Sequence, residues 1–186
     1  MGAYCMGILS LNYGIPFWLA LPFAFMVTGL FAAMISAPAL KLRGDYLAIV
    51  TLGFGEITNQ VFTNWVSLTR GPMGIPGIQV PTILGWSFGE ALPPIGTWTL
   101  PTNTPFYYLI LLFVALGLLV CFRLDTSRLG RAWRAIREDE PAAEAMGIDV
   151  AKYKIVAFVI SSFFAGIAGG LYAHYQGFID PNSFNF

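Results

Sequence analysis

Thirteen of the chain's 20 charged side chains fall within residues 123–154, and that stretch lies between two long apolar runs. It begins with Arg123, runs through five basic residues to Arg137, turns acidic at Glu138-Asp139-Glu140, and closes with Asp149, Lys152 and Lys154. Elsewhere the chain is nearly uncharged. Backbone polar groups cannot be left unpaired in hydrocarbon, so apolar runs of this length specify helices that satisfy their own hydrogen bonds. The polar stretch must then lie outside the membrane. Charged residues make up 11% of the chain, against roughly 25% in a soluble domain. The fold class read from this is all-α, a polytopic transmembrane helical bundle.

Four segments can cross: residues 15–36, 46–66, 104–122 and 155–173. The first, third and fourth carry no charge, whereas 46–66 contains Glu56, Asn59, Gln60 and Asn64. Residues 1–14 hold no Lys or Arg, which argues against a secretory leader, since that needs a positive n-region. Their apolar part would span only about 14 Å of the roughly 30 Å hydrocarbon layer. They read as the end of a span, and the chain as the middle of a longer protein.

Basic residues set the orientation. The connection 37–45 holds Lys41 and Arg43, the connection 123–154 holds seven basic residues, and 67–103 holds only Arg70. Positive residues stay on the cytoplasmic side. Residues 123–154 are therefore expected inside, and 1–14, 67–103 and 176–186 outside. The outer connection is rich in Pro and Gly, including Gly71, Pro72, Gly74, Pro76, Gly77, Pro93 and Pro94. These residues deny it long helices and central strands, and its Ile, Trp and Leu content predicts a packed lid.

Inside the charged loop, Ser127 can cap a helix beginning at Arg128. Leu129, Ala132, Trp133 and Ile136 share one face of that helix, with Arg131, Arg134 and Arg137 opposite. Such a helix also suits an anionic lipid surface. Pro141 then fits the first turn of a second helix, with Asp139 and Glu140 at its positive end and Gly147 as its left-handed stop. A helix under two turns long is unstable alone, so packing must hold it. Its small alanine face would fit a groove on a partner.

The run Gly130-Arg131-Ala132-Trp133-Arg134-Ala135-Ile136-Arg137-Glu138-Asp139, followed by Ala142-Ala143, three residues and Gly147-Ile148, then Lys154 and Ala157-Phe158, resembles the cytoplasmic loop of bacterial ABC-importer permeases. It is most similar to that of the branched-chain amino acid (leucine/isoleucine/valine) permeases. The segment from Leu42-Arg43-Gly44-Asp45 through Gly53-Phe54-Gly55-Glu56 resembles a second signature of that family, and Leu68-Thr69, Gly71, Gly74-Ile75, Pro181 and Phe184 also fit. One departure is that Pro141 stands where importers at large carry Glu, with Glu140 one place earlier. The resemblance implies a transport subunit served by ABC ATPase subunits, a second permease chain and a periplasmic substrate-binding protein. It places Arg137, Glu138, Asp139, Glu140, Ala142, Ala143, Glu144 and Gly147 in the loop that docks on the ATPase. It implies no cofactor.

Two features of the spans bear on transport. Glu56 is the one acid inside a span, and such groups face a bundle interior or a watery cavity. Gly53 and Gly55 allow a broken helix beside it, so Thr51, Gly53, Gly55, Glu56 and Asn59 are the candidate pathway residues. Ser162, Gly166 and Gly170 recur every four residues and form a small-residue ridge for close helix packing.

Other functions have weaker support. A zero net charge gives no nucleic-acid footprint. No Gly-Lys dipeptide exists, so no P-loop does. The chain holds one His, His174, and Cys5 and Cys121 stand far apart as small buried hydrophobes, so neither a metal site nor a membrane-embedded enzyme is indicated. A urea or short-amide importer of the same family, and a lipid-binding scaffold, remain as alternatives. With cysteines placed singly at positions 70 and 137, an impermeant thiol reagent applied to intact cells should label 70 and spare 137. The opposite pattern would reverse the topology.

Overall fold

The computed structural model describes residues 1–39, 45–83, 86–89 and 103–184. The chain runs α1 (Gly2–Tyr13), α2 (Phe17–Ala39), α3 (Asp45–Asn64), α4 (Val66–Thr69), β1 (Ile75–Pro76), β2 (Thr82–Ile83), β3 (Trp86–Ser87), α5 (Thr104–Thr126), α6 (Arg128–Glu138), α7 (Glu140–Ala145), α8 (Val150–Gln176) and β4 (Phe178–Ile179). Lys41 and Arg43 of the first basic connection, the Leu42-Arg43-Gly44 part of the second signature, and Pro93 and Pro94 lie outside the described residues.

Among the described residues, three helices are long and apolar enough to cross a membrane: Phe17–Ser36, Thr104–Thr126 and Val150–Gln176. The expected fourth span forms α3, a 20-residue helix. Its Glu, Asn and Gln side chains keep it short of the apolarity of the other three. Helix ends also differ from expectation. α2 starts at Phe17, because the Pro16 carbonyl accepts the first N–H groups, from Leu19 and Ala20, at 3.0 Å each. α8 starts at Val150, inside the stretch assigned to the cytoplasmic loop, because Asp149 Oδ1 accepts the Lys152 N–H at 3.1 Å.

Helix α8 lies at the centre and is packed on both sides through glycines. A Cβ added to Gly166 would overlap the Thr28 side chain of α2, and one added to Gly170 would overlap the Met6 sulfur of α1. A Cβ on Gly2 would overlap the Gly166 carbonyl, and one on Gly29 would overlap the Phe163 ring. Phe163 stacks on Phe25 of α2 at a 3.7 Å centroid separation. Lipid is as apolar as these side chains, so burial drives little association in a bilayer. Van der Waals contact at short backbone separation must do it instead. Small residues supply that contact here, and the short helix α1 uses it to bury Gly2, Ala3, Tyr4, Met6 and Gly7.

One end of the bundle carries a cap built from residues 65–83 and 177–184. Buried Thr69 holds its first turn: its hydroxyl lies 2.8 Å from the Trp65 carbonyl, and accepts the Gly71 N–H at 3.2 Å. β1 then pairs antiparallel with β4, Ile75 opposite Ile179. Gly74 (φ 69) is required at the approach, where a Cβ would overlap the Ile179 carbonyl. The N–H groups of Gly77 and Ile78 both donate to the Gly177 carbonyl, at 3.0 and 3.1 Å. Ile75, Ile78 and Ile179 are buried with Ala3, Tyr4 and Ala173. The described part of the Pro- and Gly-rich connection is therefore packed on the bundle, and the Trp18 indole N–H donates to the Thr82 carbonyl at 3.0 Å.

α5 is joined to this assembly mainly through its first turns, where Pro105, Phe106 and Leu109 are buried. Below them it leaves an apolar groove of about 830 Å³ against α8 and Phe25, lined by Phe113, Gly117, Ile160 and Phe164. Cys121 also lines this groove and is exposed, while Cys5 is half-buried. The expectation that both thiols are buried therefore fails for Cys121, whose helix face is exposed among the described residues, and is met only in part for Cys5.

Gly166→Leu should cost about 1–3 kcal/mol by overpacking, read as a lower midpoint of thermal unfolding in detergent. Ala168→Leu, on an exposed face of the same helix, should leave the midpoint unchanged. Equal midpoints would show that α8 does not use its glycine face for packing.

Candidate functional site

The charged loop folds as two helices set against the start of α8. Ser127 caps α6: its Oγ accepts the N–H groups of Leu129 and Gly130 at 3.1 and 3.3 Å. Ala132 is buried, Leu129, Trp133 and Ile136 are half-buried, and Arg131, Arg134 and Arg137 are exposed, the amphipathic division expected from the wheel. Two of these arginines also do something the wheel does not show. Arg131 donates to the Thr126 carbonyl at 3.1 Å, and Arg134 to the Asp125 carbonyl at 2.9 Å. They close the carbonyl end of α5, where cations meet both free acceptors and the negative end of the helix dipole.

Asp139 turns the chain between α6 and α7. Its N–H closes α6 on the Ala135 carbonyl, and its Oδ1 caps α7 by accepting the Ala142 N–H at 3.0 Å. Pro141 sits in the first turn of α7, and Gly147 (φ 84) ends the segment in the left-handed region. Two contacts fix this unit to α8: the Trp133 indole donates to the Tyr153 carbonyl at 2.9 Å, and Lys154 Nζ lies 2.6 Å from Glu140 Oε1. The Ile148 N–H donates to the Ala143 carbonyl at 3.1 Å and closes the turn after α7. The ion pair is about one-third exposed on both sides, so it is worth only about 0.2–1 kcal/mol to stability.

The two alanines expected to form one partner-facing surface are split. Ala143 is 4% exposed and faces inward. Pro141, Ala142, Glu144, Ala145 and Met146 face outward, and Met146 is 84% exposed. The sequence reading passed over Met146. Its signal was an unbranched apolar residue directly before the helix-stopping glycine.

Along α3 the helix is continuous through Gly53 and Gly55, so the expected break at these glycines is absent. A Cβ at either would meet nothing within 4 Å. Thr51 Oγ1 donates to the Ala48 carbonyl at 2.9 Å, and Thr63 Oγ1 to the Asn59 carbonyl at 2.9 Å. Glu56 is exposed and accepts a hydrogen bond from Gln60 Nε2 at 3.0 Å. Asn64 Nδ2 donates to the Gln60 carbonyl at 2.8 Å. Glu56, Gln60 and Asn64 thus form a polar stripe at helical spacing, on a face exposed among the described residues.

The ridge residues divide between contacts. Gly166 and Gly170 are buried against α2 and α1, while Ser162 is half-buried and donates to its own Val159 carbonyl at 2.7 Å. His174, one turn beyond Gly170, is 1% exposed, with Nδ1 2.9 Å from the Gly170 carbonyl. That contact makes Nδ1 the protonated nitrogen, and the ring packs edge-on to Phe17 at 4.9 Å. Among the described residues no group of three or more His, Cys, Asp or Glu is placed to hold a metal.

Comparison with known proteins assigns the chain. The family described as branched-chain amino acid transport system / permease component matches residues 1–186. The high-affinity branched-chain amino acid transport system permease protein LivM of Salmonella typhimurium is 43% identical over the whole chain, which covers 46% of that relative. The probable branched-chain amino acid transport permease protein LivM of Methanocaldococcus jannaschii is 33% identical over 82% of the chain and 40% of the relative. The guanosine ABC transporter permease protein NupQ of Bacillus subtilis is 27% identical over 93% of the chain and 55% of the relative. The chain thus spans about half the length of these curated relatives, and no solved structure matches it. With its apolar helices, glycine-packed bundle and a family match over residues 1–186, the chain belongs to the branched-chain amino acid transport permease family of the inner membrane.

Proposed function

We propose that this chain is part of the permease subunit of a bacterial ABC importer, carrying branched-chain amino acids inward with ATP hydrolysed by partner subunits. The observation that carries the proposal is α7: a six-residue helix capped at its start, stopped by a glycine, and tied to α6 and α8 on one side. Its other side offers Ala142, Ala145 and Met146 to a partner. Lipid binding alone would need only the amphipathic α6, so α7 favours a protein partner over the scaffold reading. Among possible cargoes, the 43% identity to a branched-chain amino acid permease outweighs the 27% identity to a guanosine permease.

In this reading residues 123–154 form the cytoplasmic coupling loop and 67–103 face outside, under a substrate-binding protein. α3 is a fourth span, and its polar stripe and open glycines face the pathway or a second permease subunit. The chain itself performs no catalysis. Thr51, Glu56 and Asn59 offer hydrogen-bonding groups to the charged ends of an amino acid, while Leu52 and Ile57, both exposed, offer it apolar surface.

Met146→Asp should weaken ATPase capture by the full permease roughly tenfold or more, the loss of an apolar contact at an interface centre. Arg128→Gln, on the exposed face of α6, should have far less effect. Equal capture by both variants would place the docking surface elsewhere. On α3, Glu56→Gln and Glu56→Leu separate charge from hydrogen bonding. If the charge serves passage, both should assemble normally and take up substrate at least tenfold more slowly. Wild-type uptake by Glu56→Leu would remove the residue from the pathway.

A further inference from the structure

We infer that α8 is a transmission rod joining the coupling helix to the outer cap, and that the Lys154–Glu140 ion pair is the positioning clip that makes α7 and α8 move together. This rests on the importer reading given above. At one end, the first turns of α8 hold α7 through Lys154–Glu140 at 2.6 Å and hold α6 through the Tyr153 carbonyl. At the other, the Gly177 carbonyl that follows α8 accepts both the Gly77 and Ile78 N–H groups, and β4 pairs with β1. Between them α8 is continuous for 27 residues, about 40 Å at 1.5 Å per residue.

Neither end can slip easily. The cap is joined to α8 by backbone hydrogen bonds and by Ile179, which is 0% exposed. Gly177 (φ 65), its N–H bonded to the Ala173 carbonyl at 3.0 Å, leaves a single-residue connection between helix and strand. At the inner end the clip is the one ion pair between α7 and α8 among the described residues. It contributes little to stability, yet it spans the joint across which a displaced α7 must push. Along its length α8 is seated on α1 and α2, with the Thr28 side chain against Gly166 and Met6 against Gly170.

The test uses the complete transporter in proteoliposomes, with Cys5 and Cys121 replaced by Ala and a fluorophore on Met73→Cys, an exposed position in the cap. ATP should change the fluorescence and drive leucine uptake. Lys154→Met should keep ATP hydrolysis within twofold, but reduce both the fluorescence change and the leucine carried per ATP at least fivefold. Lys154→Arg, which keeps the charge, should behave as the unsubstituted protein. A normal cap response in Lys154→Met overturns the clip, as does a Lys154→Arg variant equally impaired. An ATP-driven cap response that Lys154→Met abolishes, without leucine uptake in the unsubstituted protein, overturns the substrate reading and leaves the transmission rod standing.

Discussion

Close approach of glycine-bearing backbones is the contact on which the rest of this molecule depends. In a bilayer an apolar face gains little by meeting another apolar face. Helices stay together where many atoms sit at optimal separation, and each such pair is worth only about 0.1–0.2 kcal/mol. Gly166 against Thr28, Gly170 against Met6, Gly2 against the Gly166 carbonyl and Gly29 against Phe163 provide that density. Without them α1, at 12 residues, would lose its closest contacts with α8. The cap would then lose the Ala3–Tyr4 surface on which Ile75 and Ile179 rest.

A second constraint acts at the two ends of α8. The membrane leaves its middle with few polar partners, so hydrogen bonding concentrates where the helix emerges. At its first turn Tyr153 and Lys154 gather α6 and α7; at the other end the Gly177 carbonyl gathers the cap. The arginines of α6 serve this arrangement as well, since Arg131 and Arg134 close the end of α5. The charged loop is therefore a built joint, and its positive charge has a structural use beyond setting orientation.

The uncovered surfaces fall in a pattern. α5 below its first turns, the polar stripe of α3 and the outward side of α7 are all exposed, whereas the first half of α1 and the facing sides of α2 and α8 are buried. A polar stripe on a membrane chain is costly if left to lipid, whereas an apolar groove can be filled by lipid chains as well as by other helices. These surfaces are consistent with a subunit that completes itself against other helices and docks α7 on a soluble partner.

Much of this was legible in the sequence, because local chemistry decides it. Ser127, Asp139, Pro141 and Gly147 fix the two loop helices through caps and a left-handed stop. Uncharged runs of about 20 residues fix three spans, and the motifs of the loop carried the family. What only the tertiary structure decided depends on which surfaces meet. Nothing in the spacing of Ala142 and Ala143 says that one turns inward and the other outward, since that depends on where α8 begins. The continuity of α3 through Gly53 and Gly55 was likewise out of reach, because glycine permits a break without requiring one. The pairing of β1 with β4 joins segments about 100 residues apart through backbone groups that carry no sequence signature. Lys154 and Glu140, 14 positions apart, became a pair only when α7 folded back against the first turn of α8.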